Sequence, residues 1–244
     1  MRLLGIDLET TGLDIETLDV LEIGAILWDT ERQAPLAVMN HLINEPGVEV
    51  PELITILTGI RQEDLRLGLS QEEAYSDLVA WADEADYLVA HNGTNFDVPI
   101  IKRDLAELNM IMEKNWIDTS IDIDFPTTTR KLTHLAAEHN FINPFAHRAF
   151  SDVLTMLKVL SNYDIDEVVE NSKQPLVEVQ ACTLEPWKDP APDGKKETDL
   201  AKARGYRWNP QRKMWVKNIR KSGLALEQQH GEFGIIVLGE TKRG

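Results

Sequence analysis

The stretch Leu3-Leu4-Gly5-Ile6-Asp7-Leu8-Glu9-Thr10-Thr11-Gly12-Leu13 carries Leu4, Ile6 and Leu8 at alternate positions and then breaks at two threonines and a glycine. Such a pattern predicts a strand that ends in a loop. Period-two geometry sends Asp7 and Glu9 to one face of that strand and the three apolar residues to the other. Two hard anionic oxygen ligands therefore leave the strand together. Magnesium suits this arrangement, since it takes one or two carboxylates together with substrate phosphate oxygens. Two surface acids at a strand end would give the same pattern in a chain with 41 Asp and Glu, so the spacing alone leaves both readings open.

Further β-like runs follow at residues 20–28 and 36–43, which with the first strand suggest an antiparallel meander. From residue 71 the periodicity becomes helical to about residue 84. A short strand at 87–90, a helix over 98–108, a strand end at 116–117 and helices at 131–139 and 149–160 come next. An antiparallel run leading into alternating strands and helices predicts an α/β architecture, a mixed sheet covered by helices, over residues 1–170. Residues 171–194 contain four prolines (175, 186, 190, 192) and end in Asp193-Gly194, which reads as a Pro-rich linker. Residues 195–244 read as a small α+β domain with a hairpin across 206–217, a short helix over 222–230 and a strand over 233–238.

Charge divides the chain at the same place. The net formal charge is −16, yet residues 195–244 hold 12 of the 25 Lys and Arg and only 5 of the 41 Asp and Glu, a net +7 that leaves −23 on residues 1–194. A strongly acidic body with a basic tail points to a polyanionic partner. No apolar run approaches the ~20 residues of a membrane span, and Asp7 and Glu9 interrupt the N-terminal apolar stretch before a signal-peptide core can form. Cys182 alone makes neither an internal disulfide nor a structural zinc site. A cytoplasmic protein without membrane association is the expectation.

Asp97 stands where a strand feeds a helix, in His91-Asn92-Gly93-Thr94-Asn95-Phe96-Asp97-Val98-Pro99, and by itself would serve as a helix cap. His147 and Asp152 are five residues apart, about 140° on one helix, so they cannot share a helical face. Pro144 instead places His147 in a loop from which it can lean over the following first turn toward Asp152. Asp152 alone would be a solvated acid at a helix N-terminus. His91 and Asn92 read as loop-fixing residues, and His134 and His139 as surface residues.

Taken together, Asp7-Leu8-Glu9-Thr10-Thr11-Gly12-Leu13, His91-Asn92 leading to Phe96-Asp97, and His147-Arg148-Ala149-Phe150-Ser151-Asp152 resemble the three ordered motifs of the DEDDh exonucleases. That family includes the proofreading exonucleases of bacterial replicative polymerases and exonuclease X. The segment from Pro51 to Ile60 also resembles the stretch between the first two motifs in some of those proofreading domains. The similarity covers roughly residues 1–163, and the second motif is one residue longer than its commonest form. It implies an RNase H-like sheet on which Asp7, Glu9, Asp97 and Asp152 hold two Mg2+ or Mn2+ ions. It implies 3′→5′ hydrolysis of the terminal phosphodiester to nucleoside 5′-monophosphates, with His147 as general base and Thr10 and Leu13 against the terminal nucleotide. Its partners would be nucleic acid with a 3′ end, DNA in preference to RNA, and a replication or repair polymerase.

In the tail, Tyr206, Arg207, Trp208, Arg212, Lys213, Trp215 and Lys217 interleave rings and cations as sequence-tolerant single-strand binders do. Trp208 and Trp215 are equally what the core of a 50-residue domain requires. Two other readings keep the same residues: a polymerase-associated proofreading subunit whose tail binds protein, and a non-catalytic nucleic-acid clamp. The clamp is disfavoured because a binding module gains nothing from gathering four like charges.

Overall fold

The computed structural model describes residues 1–127, 129–183, 196–229 and 232–241. The first sheet is built from β1 (Arg2–Thr10), β2 (Val20–Asp29), β3 (Ala34–Leu42), β4 (Tyr87–Ala90) and β5 (Trp116–Asp118), in the order β3-β2-β1-β4-β5. β1, β2 and β3 pair antiparallel, while β4 and β5 run parallel to β1. The expected meander and mixed sheet are both present. Helices α1 (Glu52–Thr58), α2 (Gln71–Asp83), α3 (Asp97–Glu107), α4 (Thr119–Asp122), α5 (Leu132–Glu138), α6 (Ala149–Leu160) and α7 (Ile165–Ser172) complete this part.

Each sheet face buries its own core. Leu4, Ile6 and Leu8 pack with Tyr75 and Leu78 of α2 and Ile100 and Leu105 of α3. On the opposite face Leu3 and Ile26 pack with Val153, Met156 and Leu157 of α6. Gly5 and Gly24 set how closely α6 approaches. A Cβ on Gly24 would lie 2.4 Å from the backbone of Ala149 and Phe150, and one on Gly5 would lie 2.8 Å from Val153 Cγ1. This is the face that carries Asp7 and Glu9, so the two glycines bring the N-terminus of α6 against the strand that bears them.

The second sheet corrects the expected linker. β6 (Leu176–Cys182) lies between β8 (Met214–Arg220) and β9 (Gly234–Thr241), and β7 (Arg207–Asn209) flanks β8, in the order β7-β8-β6-β9. α8 (Glu197–Ala203) and α9 (Leu224–Gln229) accompany this sheet. Residues 171–183 are thus helix end and central strand, because Val177, Val179 and Ala181 are buried in the small core with Tyr206 and Ile219. Residues 184–194 lie outside the described residues. No helix among the described residues is long and apolar enough to cross a membrane.

The small sheet also touches the larger part directly. Arg220, buried, donates from Nε to the Ile121 carbonyl at 3.0 Å and pairs with Asp124. Asn218 Nδ2 donates to Asn95 Oδ1 at 2.9 Å.

Candidate metal centre

Asp7 and Glu9 emerge half-buried from the end of β1, and Asp152 lies in the first turn of α6. One carboxylate oxygen from each lies within 4.8 Å of the others. Those three acids form the cluster. Asp97 stands beside it, 3% exposed, at the start of α3. Beyond Gly5, β1 outruns its parallel partner β4, and the unpaired N–H of Leu8 donates to Asp97 Oδ1 at 3.2 Å. Asp97 therefore completes a strand edge, and of the neighbouring charges its carboxylate bears most on Asp7.

Without cations these groups hold protons. Burial, followed by the charges of Asp97, Glu9 and Asp152, raises Asp7 well above the usual carboxylate range. Burial, then Asp152, Glu22 and Asp97, pushes Glu9 up to about 8, with Arg148 opposing. Burial likewise pushes Asp97 up to about 7. Asp152 is raised by burial too, against hydrogen bonds from the His147 N–H and Asn143 and the charge of His147. The folded chain therefore keeps protons that the unfolded chain releases above about pH 4. The contribution of these four acids to the stability of the metal-free protein is full below that pH and is lost as pH climbs through the raised values near 7 and 8. Divalent cations held by these acids would replace the protons and remove the penalty. Thermal melts in EDTA should give a lower midpoint at about pH 8.5 than at about pH 5, and magnesium should close the gap. A midpoint that rises with pH in EDTA would contradict this.

Two residues not singled out from the sequence hold the cluster in place. Glu22, fully buried, sits directly across from Glu9 in the β1–β2 register. It accepts from Arg148 Nε at 3.1 Å on both oxygens and from the Ala149 N–H at 3.0 Å, clamping the start of α6. Asn143 donates to Asp152 Oδ1 at 2.5 Å and accepts from the Phe145 N–H at 3.0 Å, which ties the preceding loop to that carboxylate. Glu22 is one acid among many in the sequence, and only its burial opposite Glu9 distinguishes it. Glu22→Gln should cost about 1–3 kcal/mol, the range for a buried hydrogen-bonding group left short of a partner. The larger loss of a fully buried pair, about 3–5 kcal/mol, is not expected, because the Arg148 side chain is 38% exposed and can turn to water. Urea denaturation reads the difference.

His147 occupies the left-handed region at φ 65° and is exposed. Its backbone N–H donates to Asp152 Oδ2 at 3.1 Å, so the loop does lean over the first turn of α6, with the main chain making the contact. Thr10 is buried and its hydroxyl donates to the Gly12 carbonyl at 2.7 Å, shaping the loop from which Leu13 projects with 86% exposure. His91 bridges the Thr119 hydroxyl at 2.8 Å and the Arg130 carbonyl at 2.6 Å, a loop-fixing role. Asp118, also buried, accepts from the N–H groups of Asn92 at 2.8 Å and Thr94 at 2.9 Å and so sets the loop that leads to Asp97.

The tail residues divide. Tyr206 is 2% exposed and packs edge-on against Phe233 at 5.4 Å, which corrects its expected place against substrate: the small core needs the ring. Arg212 pairs with Glu178 at 2.7 Å and Lys217 with Glu227 at 3.2 Å. Lys213 is exposed in the turn before β8, at φ 51°. Trp215 is half-buried and Trp208 is 49% exposed, their rings 5.7 Å apart. With the Asn92 amide assigned so that its oxygen faces Arg207, the guanidinium donates to it from Nη2 at 2.6 Å and Nη1 at 3.2 Å.

Fold and site together define an RNase H-like α/β protein with an acidic centre suited to divalent cations at the end of its first strand. The chain belongs to the Exonuclease (RNase_T) family, whose model matches residues 4–160. It is 28% identical over 164 residues to the DNA polymerase III PolC-type of Ureaplasma parvum, covering 64% of this chain and 11% of that protein. It is 31% identical over 163 residues to the 3′-5′ exonuclease DinG of Staphylococcus aureus, covering 64% of this chain and 17% of that protein. The chain thus spans less than a fifth of the length of these curated relatives. Among solved structures, the nuclease domain of 3′hExo, a DEDDh family member bound to rAMP, superposes with a TM-score of 0.57 at 15% identity, over 66% of this chain and 90% of that one. E. coli Exonuclease I in complex with a dA16 oligonucleotide gives 0.58 at 14% identity, over 72% and 47%. At such identities the likeness is one of fold.

Proposed function

We propose that the chain is a divalent-metal-dependent 3′→5′ exonuclease acting on DNA and releasing nucleoside 5′-monophosphates. The observation that carries this is the meeting of Asp7, Glu9 and Asp152 within 4.8 Å, with Asp97 alongside, on a fold whose family is exonucleolytic. Oxygen-only, multiply anionic donors fit two magnesium or manganese ions rather than a softer metal. When bound, such ions lower the pKa of a coordinated water and neutralise charge on the phosphate.

The chain's own residues supply the rest. The four acids, fully ionised once their protons are displaced, hold the cations and set where the terminal phosphate sits. His147, exposed on a loop fastened to Asp152, takes the proton of the attacking water. Leu13, projecting from its loop, packs on the terminal base, while Thr10 fixes the loop from beneath. The similarity to a DNA polymerase III of PolC type favours DNA, and a chain of this kind can also serve a replication or repair polymerase. End-labelled DNA and RNA oligonucleotides, single-stranded and duplex, assayed with magnesium, manganese or EDTA, test the reading. Metal-dependent shortening of DNA from the 3′ end is expected, and cleavage that persists in EDTA would refute it.

A further inference from the structure

Between the two sheets lies a cleft of about 630 Å3, walled by His91, Asn92, Asn95 and residues 120–121 and 129–132 on one side and by residues 202–203, 205–210 and 216–218 on the other. Arg130, Lys131, Lys202, Arg207 and Lys217 line it, and Glu178, its acid among the described residues, is already paired with Arg212. In a chain with a net charge of −16 this is a local inversion of sign. Lys217 is engaged with Glu227 and Lys202 reaches Asp199 at 3.9 Å. Among the described residues, no ion pair within 4 Å joins Arg130, Lys131 or Arg207 to a carboxylate. Trp208 adds an aromatic ring that the small core leaves 49% exposed.

The cleft borders the segment that leads into Asp97, although none of Asp7, Glu9, Asp97 and Asp152 lines it. Asn92 and Asn95 line it, and Asp97 follows two residues later. Ile15, from the loop that carries Leu13, lines it as well, and its carbonyl accepts from Arg103 Nη1, which anchors that loop to α3. Arg207 grips Asn92 from the opposite wall.

We infer that this cleft holds the unpaired segment of the substrate strand immediately 5′ of the terminal nucleotide. The inference rests on the exonuclease reading of the metal centre, because a 3′ end placed there leaves the rest of the strand on its 5′ side. Cations meet phosphates, and an exposed indole meets a base face that only an unpaired strand offers. The position also gives the small domain a purpose that the −23 on residues 1–194 makes necessary: it places fixed positive charge beside a site that otherwise repels the substrate.

The test compares binding of a fluorescent single strand of about 16 nucleotides to full-length protein. All proteins carry Asp7→Ala so that the strand is not consumed. Trp208→Ala and Lys131→Glu change exposed residues on opposite walls, and Lys158→Glu reverses an exposed charge on α6 away from the cleft. Each cleft variant should weaken binding about tenfold, within the range that loss of one stacked base produces. Lys131→Glu should also flatten the slope of log K against log salt by about 0.7 or more. Lys158→Glu should leave affinity unchanged, and Trp208→Ala should not alter the weaker binding of blunt duplex. Equal affinities for parent and cleft variants would overturn the inference. So would displacement of a labelled acidic peptide, rather than of the strand, as the effect that both cleft variants abolish. Wild-type protein that fails to hydrolyse any oligonucleotide, while the cleft variants still lose binding, would remove the exonuclease reading and leave the cleft as a nucleic-acid site.

Discussion

Asp7→Ala protein is expected to lose magnesium-dependent hydrolysis by more than the about 10²–10⁴-fold that a single general base contributes, and at neutral pH in EDTA to melt at a higher temperature than the parent. Both effects come from one cause. Asp7 is surrounded by Asp97, Glu9 and Asp152, and burial followed by those charges raises its pKa well above the usual carboxylate range, so without cations the ionised group penalises the fold. Removing the carboxylate relieves that repulsion, and for a chain of this size each kcal/mol relieved is worth about 2–4 °C. On the proposed function the same removal takes away a metal ligand, so stabilisation and inactivation are expected together. Melting with and without magnesium, beside an end-labelled DNA assay, reads both. Asp7→Ala protein that is destabilised in EDTA, or that retains substantial turnover, would show that the cluster is an ordinary structural feature. Asp152→Ala should behave in the same direction on activity, although the loss of its bonds to Asn143 and the His147 N–H offsets part of the stability gain.

His147→Ala should lower the hydrolytic rate by about 10²–10⁴-fold while strand binding stays close to that of the parent. His147 sits at φ 65°, a region that histidine tolerates better than alanine, so the stability of the alanine variant is measured beside its rate. His147→Asn, which tolerates the left-handed region better than most residues, should be no less stable yet equally slow, since an amide takes up no proton near neutral pH. Added imidazole should restore part of the rate to the alanine variant. If the alanine and asparagine variants turn over at the parental rate, the proton goes elsewhere and His147 serves only to shape the loop over Asp152.

Much of the larger part was legible because its signals are local. Alternation along residues 3–8 places Asp7 and Glu9 on one face whatever surrounds them, and helical periodicity over residues 71–84 and 149–160 agrees closely with α2 and α6. β6 escaped because Pro175 and the prolines from 186 onward mask a short alternating run. Val177, Val179 and Ala181 carry its signal, and reading that alternation first would have found the strand. Tyr206 looked like a base-stacking ring because exposure is not written in residue type. Its ring is taken up by a small core that has few other large side chains.

The sequence by itself determined which acids can leave the first strand together, where the main helices run, and that positive charge gathers in the last fifty residues. These depend on periodicity and composition, which are properties of neighbouring residues. The meeting of Asp152 with Asp7 and Glu9 was implied by the resemblance of the motifs, but the means belong to the tertiary structure, in which Gly5 and Gly24 admit α6 and Glu22 clamps Arg148 and Ala149. The tertiary structure alone decided that Asp97 closes the edge of β1, that β6 joins the second sheet, and that Arg207 reaches Asn92 across a cleft. Each of these contacts joins residues tens to more than a hundred positions apart, and such pairings are set by how cores pack, which no local pattern encodes.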